Sequence, residues 1–233
     1  MPLYTLRESR RASKVGLKVT PADGLVISVP PGFDLDRLPA ILADKRAWIE
    51  NAMIWAGGQR SPGLTGKGKL PEKISLRSIG EAWQVAYKYA AKPSLRAHEY
   101  PPDVLAVTGP IHDKAACVKA LKDWLACKAR NRMVPLLDDV ALAAGLRYQR
   151  AMIGNQRTRW ASCSSSGTIS INQKILFLPR KLARYVLLHE ICHTVELNHS
   201  RLFWSLMGMK EPDYEKLDRQ LDQAGRYVPA WAE

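Results

Sequence analysis

The chain has 233 residues, 46% of them hydrophobic and 24% charged, with 15 glycines and 15 prolines, a composition that excludes collagen-like, fibrous and disordered classes. Lys and Arg number 35 against 22 Asp and Glu, so the formal net charge of +13 favours encounters with nucleic acid or other polyanions. No apolar run reaches the roughly 20 residues that span a bilayer, and the opening MPLYTLRESRRASK lacks the apolar centre of a secretion signal, so a cytoplasmic globular protein is expected.

Two alternating apolar runs, Val15–Leu17–Val19 and Leu25–Ile27–Val29, flank an Ala-Asp-Gly turn and predict a β-hairpin that Pro30 and Pro31 terminate. Leu38, Ile41, Leu42, Trp48, Ile49 and Ile54 then recur at helical spacing within residues 34–55. The stretch GGQRSPGLTGKGKLP, residues 57–71, reads as a loop or linker. Short strands are expected at 83–89 and 104–107, which makes residues 1–110 a hairpin-rich N-terminal region.

From Lys114 the pattern turns helical, with Val118, Leu121, Trp124 and Leu125 on one stripe. Pro135 is expected to kink or interrupt it before a second run, 136–146, that closes near Gly145. Residues 167–175 alternate, Ile169 and Ile171 against Thr168, Ser170 and Asn172, as in a half-buried strand at a sheet edge. Pro179 suits the first turn of a helix carrying LARYVLLHEICHTVEL, and a last helical run covers 212–224. Residues 111–233 thus form a second region, and the fold class is α+β.

Three of the five histidines fall within HEICHTVELNH. His189 and His193, four apart on the predicted helix, project from one face about a turn apart, the bite that two ligands of a tetrahedral zinc require. Glu190 lies beside the first ligand, where it can act as general base on a zinc-activated water without binding the metal. Tyr185, Leu188, Cys192 and Val195 are expected as a buried stripe, with Leu182 and Val186 as the floor beneath the two imidazoles. For the third ligand the spacing to His199 favours that residue, and Asn198 could supply the left-handed turn that swings it back. A carboxylate from the last helix, Glu211 or Glu215, is the competing ligand.

The run from Arg157 to Trp204 resembles the YgjP-like zinc metallopeptidases, relatives of the SprT and WLM zincins. Their pattern runs close to R-W-G-S-C-S-x-x-G-x-I-x-x-N, then H-E-[LI]-[AC]-H-x5-H-S-x-x-F-W. Arg159, Trp160, Ser162, Cys163, Ser164, Gly167, Ile169 and Asn172 match its first part, and His189, Glu190, His193, His199, Ser200, Phe203 and Trp204 its second. Ala161 stands where the family commonly has Gly. The match covers about a fifth of the chain tightly and implies a zincin-like catalytic region, with an active-site helix beside a small antiparallel sheet, one zinc ion, and His199 as third ligand.

Around the metal, residues 168–172 are expected to pair with an extended peptide by β-addition, with Arg159, Ser170 and Asn172 as substrate contacts. Arg157 and the 162–166 loop could help orient a substrate carbonyl or phosphate, and Phe203 and Trp204 are expected to pack under His199. Tyr214 and His112 are the available candidates for stabilising an oxyanion. The four cysteines form no CxxC pair and are expected as reduced thiols. The most economical reading is a zinc metallopeptidase acting on peptide or unfolded-protein substrate. The alternatives are a metal-dependent nucleotide phosphohydrolase using the same site, or a non-catalytic nucleic-acid or protein adaptor with structural zinc. The basic surface makes nucleic acid a further possible partner.

Overall fold

The computed structural model describes residues 4–9, 15–20, 24–45, 49, 69–91 and 94–233. The Ala-Asp-Gly turn up to Asp23, the expected helical positions Trp48 and Ile54, and most of the 57–71 loop lie outside the described residues. The chain divides into two compact units, Met1–Thr65 and Gly66–Glu233.

In the first unit, strands β1 (Tyr4–Glu8), β2 (Gly16–Thr20) and β3 (Gly24–Val29) form a sheet of order β1-β3-β2. The expected hairpin is the antiparallel β2–β3 pair, with Leu17 opposite Ile27, while β1 runs parallel to β3. Helix α1 (Leu38–Asp44) covers it, and Leu25, Ile27, Val29, Leu38, Leu42 and Ile49 make a small core.

The second unit opens with a four-stranded sheet made of β4 (Lys73–Leu76), β5 (Glu81–Tyr89), β6 (Arg96–Tyr100) and β7 (Val104–Gly109), in order β4-β5-β7-β6. Helix α2 (Lys114–Ala144) follows, 31 residues long, or about 46 Å. Asp113 caps its start by accepting from the Ala116 amide at 3.0 Å, and Gly145 ends it in the left-handed conformation, φ 66°. Of the expected kink or interruption at Pro135, the interruption does not occur: α2 runs through it as one helix. Its ring lies on the exposed face, where water can take up the carbonyl it leaves unpaired, while Met133 and Leu137 on either side are fully buried. Helix α2 packs on β6 and β7 of the four-stranded sheet. Buried Lys128 ties the two together, its Nζ 3.0 Å from Glu81 and 2.8 Å from Glu99, over the Trp83 ring.

Strands β8 (Arg150–Gly154), β9 (Ala161–Cys163) and β10 (Thr168–Asn172) form a second sheet in this unit, in order β8-β10-β9. It is mixed: β10 runs antiparallel to β9 and parallel to β8. A fully buried 3-10 turn, Gln173–Phe177, leads to helix α3 (Arg180–Cys192), with Pro179 at its N-cap, one residue ahead of the expected first turn. Helices α4 (Arg201–Lys210) and α5 (Tyr214–Asp222) pack against α3, and α2 packs on its other side. Tyr185 secures α5 by donating to Asp218 Oδ1 at 2.9 Å. No helix among the described residues is long and apolar enough to cross a membrane.

Helix α2 provides a calibrated test of this packing. Leu125 is fully buried and Leu142 is 83% exposed, so Leu125→Ala should lower stability by about 2–5 kcal/mol and Leu142→Ala by less than about 0.5 kcal/mol, read from urea denaturation midpoints at unchanged m-value.

Candidate metal centre

Helix α3 supplies the platform. Leu182, Ala183, Tyr185, Val186, Leu187, Leu188, Ile191 and Cys192 are all buried, so the helix is held on several sides rather than along one stripe. Leu182 and Val186 are buried, but Val195 is 55% exposed and does not extend the stripe. The reason is that α3 stops at Cys192 and His193 becomes its C-cap. The chain then turns and runs to His199 without any left-handed residue; among the described residues only glycines have positive φ, so Asn198 does not play the expected role.

The turn brings His199 back over the helix end. One nitrogen from each of His189, His193 and His199 lies within 4.8 Å of the others, and among the described residues this is the one group able to hold a metal. His189 Nε2 and His199 Nε2 are 2.9 Å apart. Four-coordinate zinc, with Zn–N near 2.0–2.1 Å, sets its ligand nitrogens about 3.4 Å apart, a spacing that the 2.9 Å pair and the 4.8 Å limit of the group bracket. Neither Glu211 nor Glu215 belongs to the group.

The protonation states suit that role. His193 Nδ1 lies 2.9 Å from the Glu196 carbonyl, which can only accept, so Nδ1 carries the hydrogen and Nε2 keeps its lone pair. Burial, with smaller contributions from the neighbouring imidazoles, holds His189 neutral, its pKa lowered to about 3, and burial lowers His193 as well. Aromatic rings support the cluster from one side. Phe203 is fully buried, stacks on His193 at 4.4 Å and meets His189 and His199 edge-on at 4.9 and 4.8 Å. Trp204 lies 5.6 Å from His199, and Tyr214 stacks behind Trp204 at 5.4 Å. Ser200 orders this arm by accepting from the Phe203 amide at 3.3 Å as the cap of α4.

Glu190 points toward β9. Burial pushes its carboxyl up to about 7, partly offset by a hydrogen bond from the Cys163 backbone N–H and by the charge of Arg159. The ladder geometry explains that contact. Ser164 donates to the Thr168 carbonyl and Asn172 to the Trp160 carbonyl, so residues 160, 162 and 164 face β10 and the amides of Ala161 and Cys163 face away from it.

Strand β10 is the centre of its sheet, with partners on both sides, so it is not the expected edge. Ser170, half-buried, pairs with Met152 on one side and Ser162 on the other. Asn172 is buried, and its side chain is fully engaged: Nδ2 donates to the Gln156 carbonyl at 2.8 Å and the Arg159 carbonyl at 2.7 Å, and Oδ1 accepts from the Lys174 amide at 3.1 Å. Asn172 therefore braces the loop before β9. Arg159 is exposed and within electrostatic reach of Glu190. His112 packs with Tyr89 in the other sheet's neighbourhood, and the metal group does not include it. All four cysteines are free; Cys117 and Cys192 are buried, Cys163 half-buried and Cys127 exposed. Sequence reasoning missed the Cys163 amide at Glu190, since a backbone donor leaves no mark on residue type.

Residues 13–224 match the YgjP-like metallopeptidase domain family. Among solved structures, the metallopeptidase zymogen of Pyrococcus abyssi abylysin is 22% identical, over 37% of this chain and 89% of that one, with a TM-score of 0.34. The zymogen of Methanocaldococcus jannaschii jannalysin is 14% identical, over 38% and 86%, with a TM-score of 0.33. A comparison with curated proteins finds no match.

The bracing role of Asn172 is testable. Asn172→Ala removes three hydrogen bonds, leaving the Arg159 carbonyl and the Lys174 amide without this partner and the Gln156 carbonyl with Lys174 alone, and should lower stability by about 2–4 kcal/mol in urea or thermal melts.

Proposed function

The chain belongs to the YgjP-like metallopeptidase family, and we propose that it is a zinc-dependent peptidase in which His189, His193 and His199 hold the ion and Glu190 is the general base. The observation that carries this reading is the convergence of three imidazole nitrogens within 4.8 Å, from the last turn and cap of α3 and from His199 beyond it, with a buried carboxylate next to His189 in the chain. A structural zinc would ordinarily close all four positions with protein ligands, whereas three ligands leave one open for chemistry. A zinc ion held there supplies Lewis acidity and lowers the pKa of a water in its remaining position.

The rest is done by the chain's own residues. Glu190 takes the proton from the attacking water and returns it to the leaving amine. The Cys163 N–H holds the carboxylate in one orientation while it does so. Phe203 and Trp204 fix the ring planes of the three histidines. An extended substrate would pair along the outer edge of β9, where the Ala161 amide and the carbonyls of Ala161 and Cys163 face away from β10. That edge replaces β10 as the site of β-addition.

Two experiments follow. His199→Ala should lower zinc affinity at least tenfold by metal analysis after dialysis, because it removes one of three nitrogens, while Glu211→Ala and Glu215→Ala should retain the wild-type metal content. Glu190→Gln is nearly isosteric and should keep both zinc and thermal stability but lose about 10²–10⁴-fold in turnover of an unfolded protein. A zinc-loaded, folded Glu190→Gln variant that cleaves at the wild-type rate would overturn the assignment of the base.

A further inference from the structure

The loop between β8 and β9, residues 155–160, has no secondary structure of its own, yet it is heavily anchored. Asn172, 2% exposed, gives both Nδ2 hydrogens to loop carbonyls, those of Gln156 and Arg159. Lys174, 7% exposed, adds a third hydrogen bond, from Nζ to the Gln156 carbonyl at 3.2 Å, and the Asn172 amide takes the Trp160 carbonyl at 2.9 Å. The Gln156 side chain folds back over Gly154, where an added Cβ would come within 2.8 Å of its Nε2. Burying a lysine and an asparagine to pin a surface loop costs desolvation that an ordinary connection does not require.

What this loop presents to solvent is Arg157, Thr158 and Arg159, all exposed. Among the described residues neither guanidinium has a hydrogen bond or ion pair. Arg159 stands two residues before β9, the strand whose Cys163 amide holds Glu190, and its charge acts on the Glu190 carboxylate. The Arg159 guanidinium thus sits on an anchored backbone at one end of the strand edge that borders the metal centre. Arg is the side chain whose planar fork matches a carboxylate, and a pre-set fork loses less entropy on binding than a mobile one.

We infer that Arg159 binds a carboxylate of the peptide substrate and so selects the peptides that the metal centre cuts. This rests on the peptidase reading above. At about 3.3 Å per residue, the four residues from Arg159 to Cys163 span about 13 Å along the strand, which places the recognised carboxylate some two to four residues from the scissile bond. That carboxylate is either an acidic side chain within the substrate or the terminal carboxylate of a short one.

The experiment uses the zinc-loaded full chain and matched quenched peptides. One arm compares Glu with Gln two, three and four residues to either side of the scissile bond; the other compares a free C-terminal carboxylate with its amide. At the favoured position the carboxylate form should exceed its neutral partner by about 10- to 100-fold in kcat/KM, mostly through KM. The ratio should fall to about 1 in Arg159→Ala and be partly restored in Arg159→Lys, with unchanged melting temperature. The arm that shows the ratio identifies the source of the carboxylate. Binding of the same peptides to zinc-loaded Glu190→Gln, by calorimetry, should show the same preference without turnover. Cleavage with no carboxylate preference, or a preference that survives in Arg159→Ala, overturns this inference and leaves the peptidase reading standing. Neither cleavage nor binding of any peptide overturns both.

Discussion

Helix α3 ends at Cys192, with the His193 imidazole donating from Nδ1 to the Glu196 carbonyl 2.9 Å away, and the geometry of the whole site follows from that stop. Had the helix continued, His199 would lie about 9 Å further along the axis and about 120° around it, too far to join the other two imidazoles. Ending the helix at the second histidine leaves the five residues 194–198 in which the chain can double back. Ser200 then starts α4 at once, and that helix delivers Phe203 and Trp204 against the rings. The Glu196 carbonyl settles the tautomer of His193, and the amides of Thr194, Val195 and Glu196, donating back to Ile191 and Cys192, shape the turn that begins the return to His199.

Burial determines the electrostatics of the same residues. Helix α3 lies between α2 on one side and α4 and α5 on the other, so its imidazoles and the Glu190 carboxyl are largely removed from water. Desolvation acts in opposite senses on the two kinds of group, lowering the histidine pKa values and raising that of the carboxyl. Both shifts favour neutral side chains, which is what a cation-binding cluster requires of its histidines. The Cys163 amide and the Arg159 charge moderate the effect on Glu190 alone.

The second sheet contributes through its edge rather than its centre. Strand β10 is enclosed by β8 and β9, and Asn172 at its end is engaged in holding the loop that precedes β9. That leaves β9, three residues long, with its outward Cys163 amide on the Glu190 carboxylate. The loop it brings with it carries exposed arginines, so part of the chain's +13 charge is gathered near the site and not only dispersed over the surface.

Local patterns in the chain determined a good deal. The i, i+4 spacing of His189 and His193 placed both rings on one helix face, the alternation at 15–19 and 25–29 marked a hairpin, and the spacing to His199 picked the third imidazole over Glu211 and Glu215. The first two rest on periods that the backbone alone imposes, and the third on the spacing of a ligand motif. Tertiary structure decided the rest. Alternation at 168–172 cannot distinguish a central strand from an edge, because that depends on which distant segments pair with it. Pro135 was read as a kink or a break, yet it sits on the exposed face of α2, and the buried residues around it keep the helix continuous. Asn172 looked like a substrate contact because polar residues on a strand near a metal often are; its three hydrogen bonds to residues 156, 159 and 174 form only once the loop has folded over it. Residue type and spacing specify which groups can do chemistry, whereas hydrogen-bond partners far apart in sequence decide which of them are free to do it.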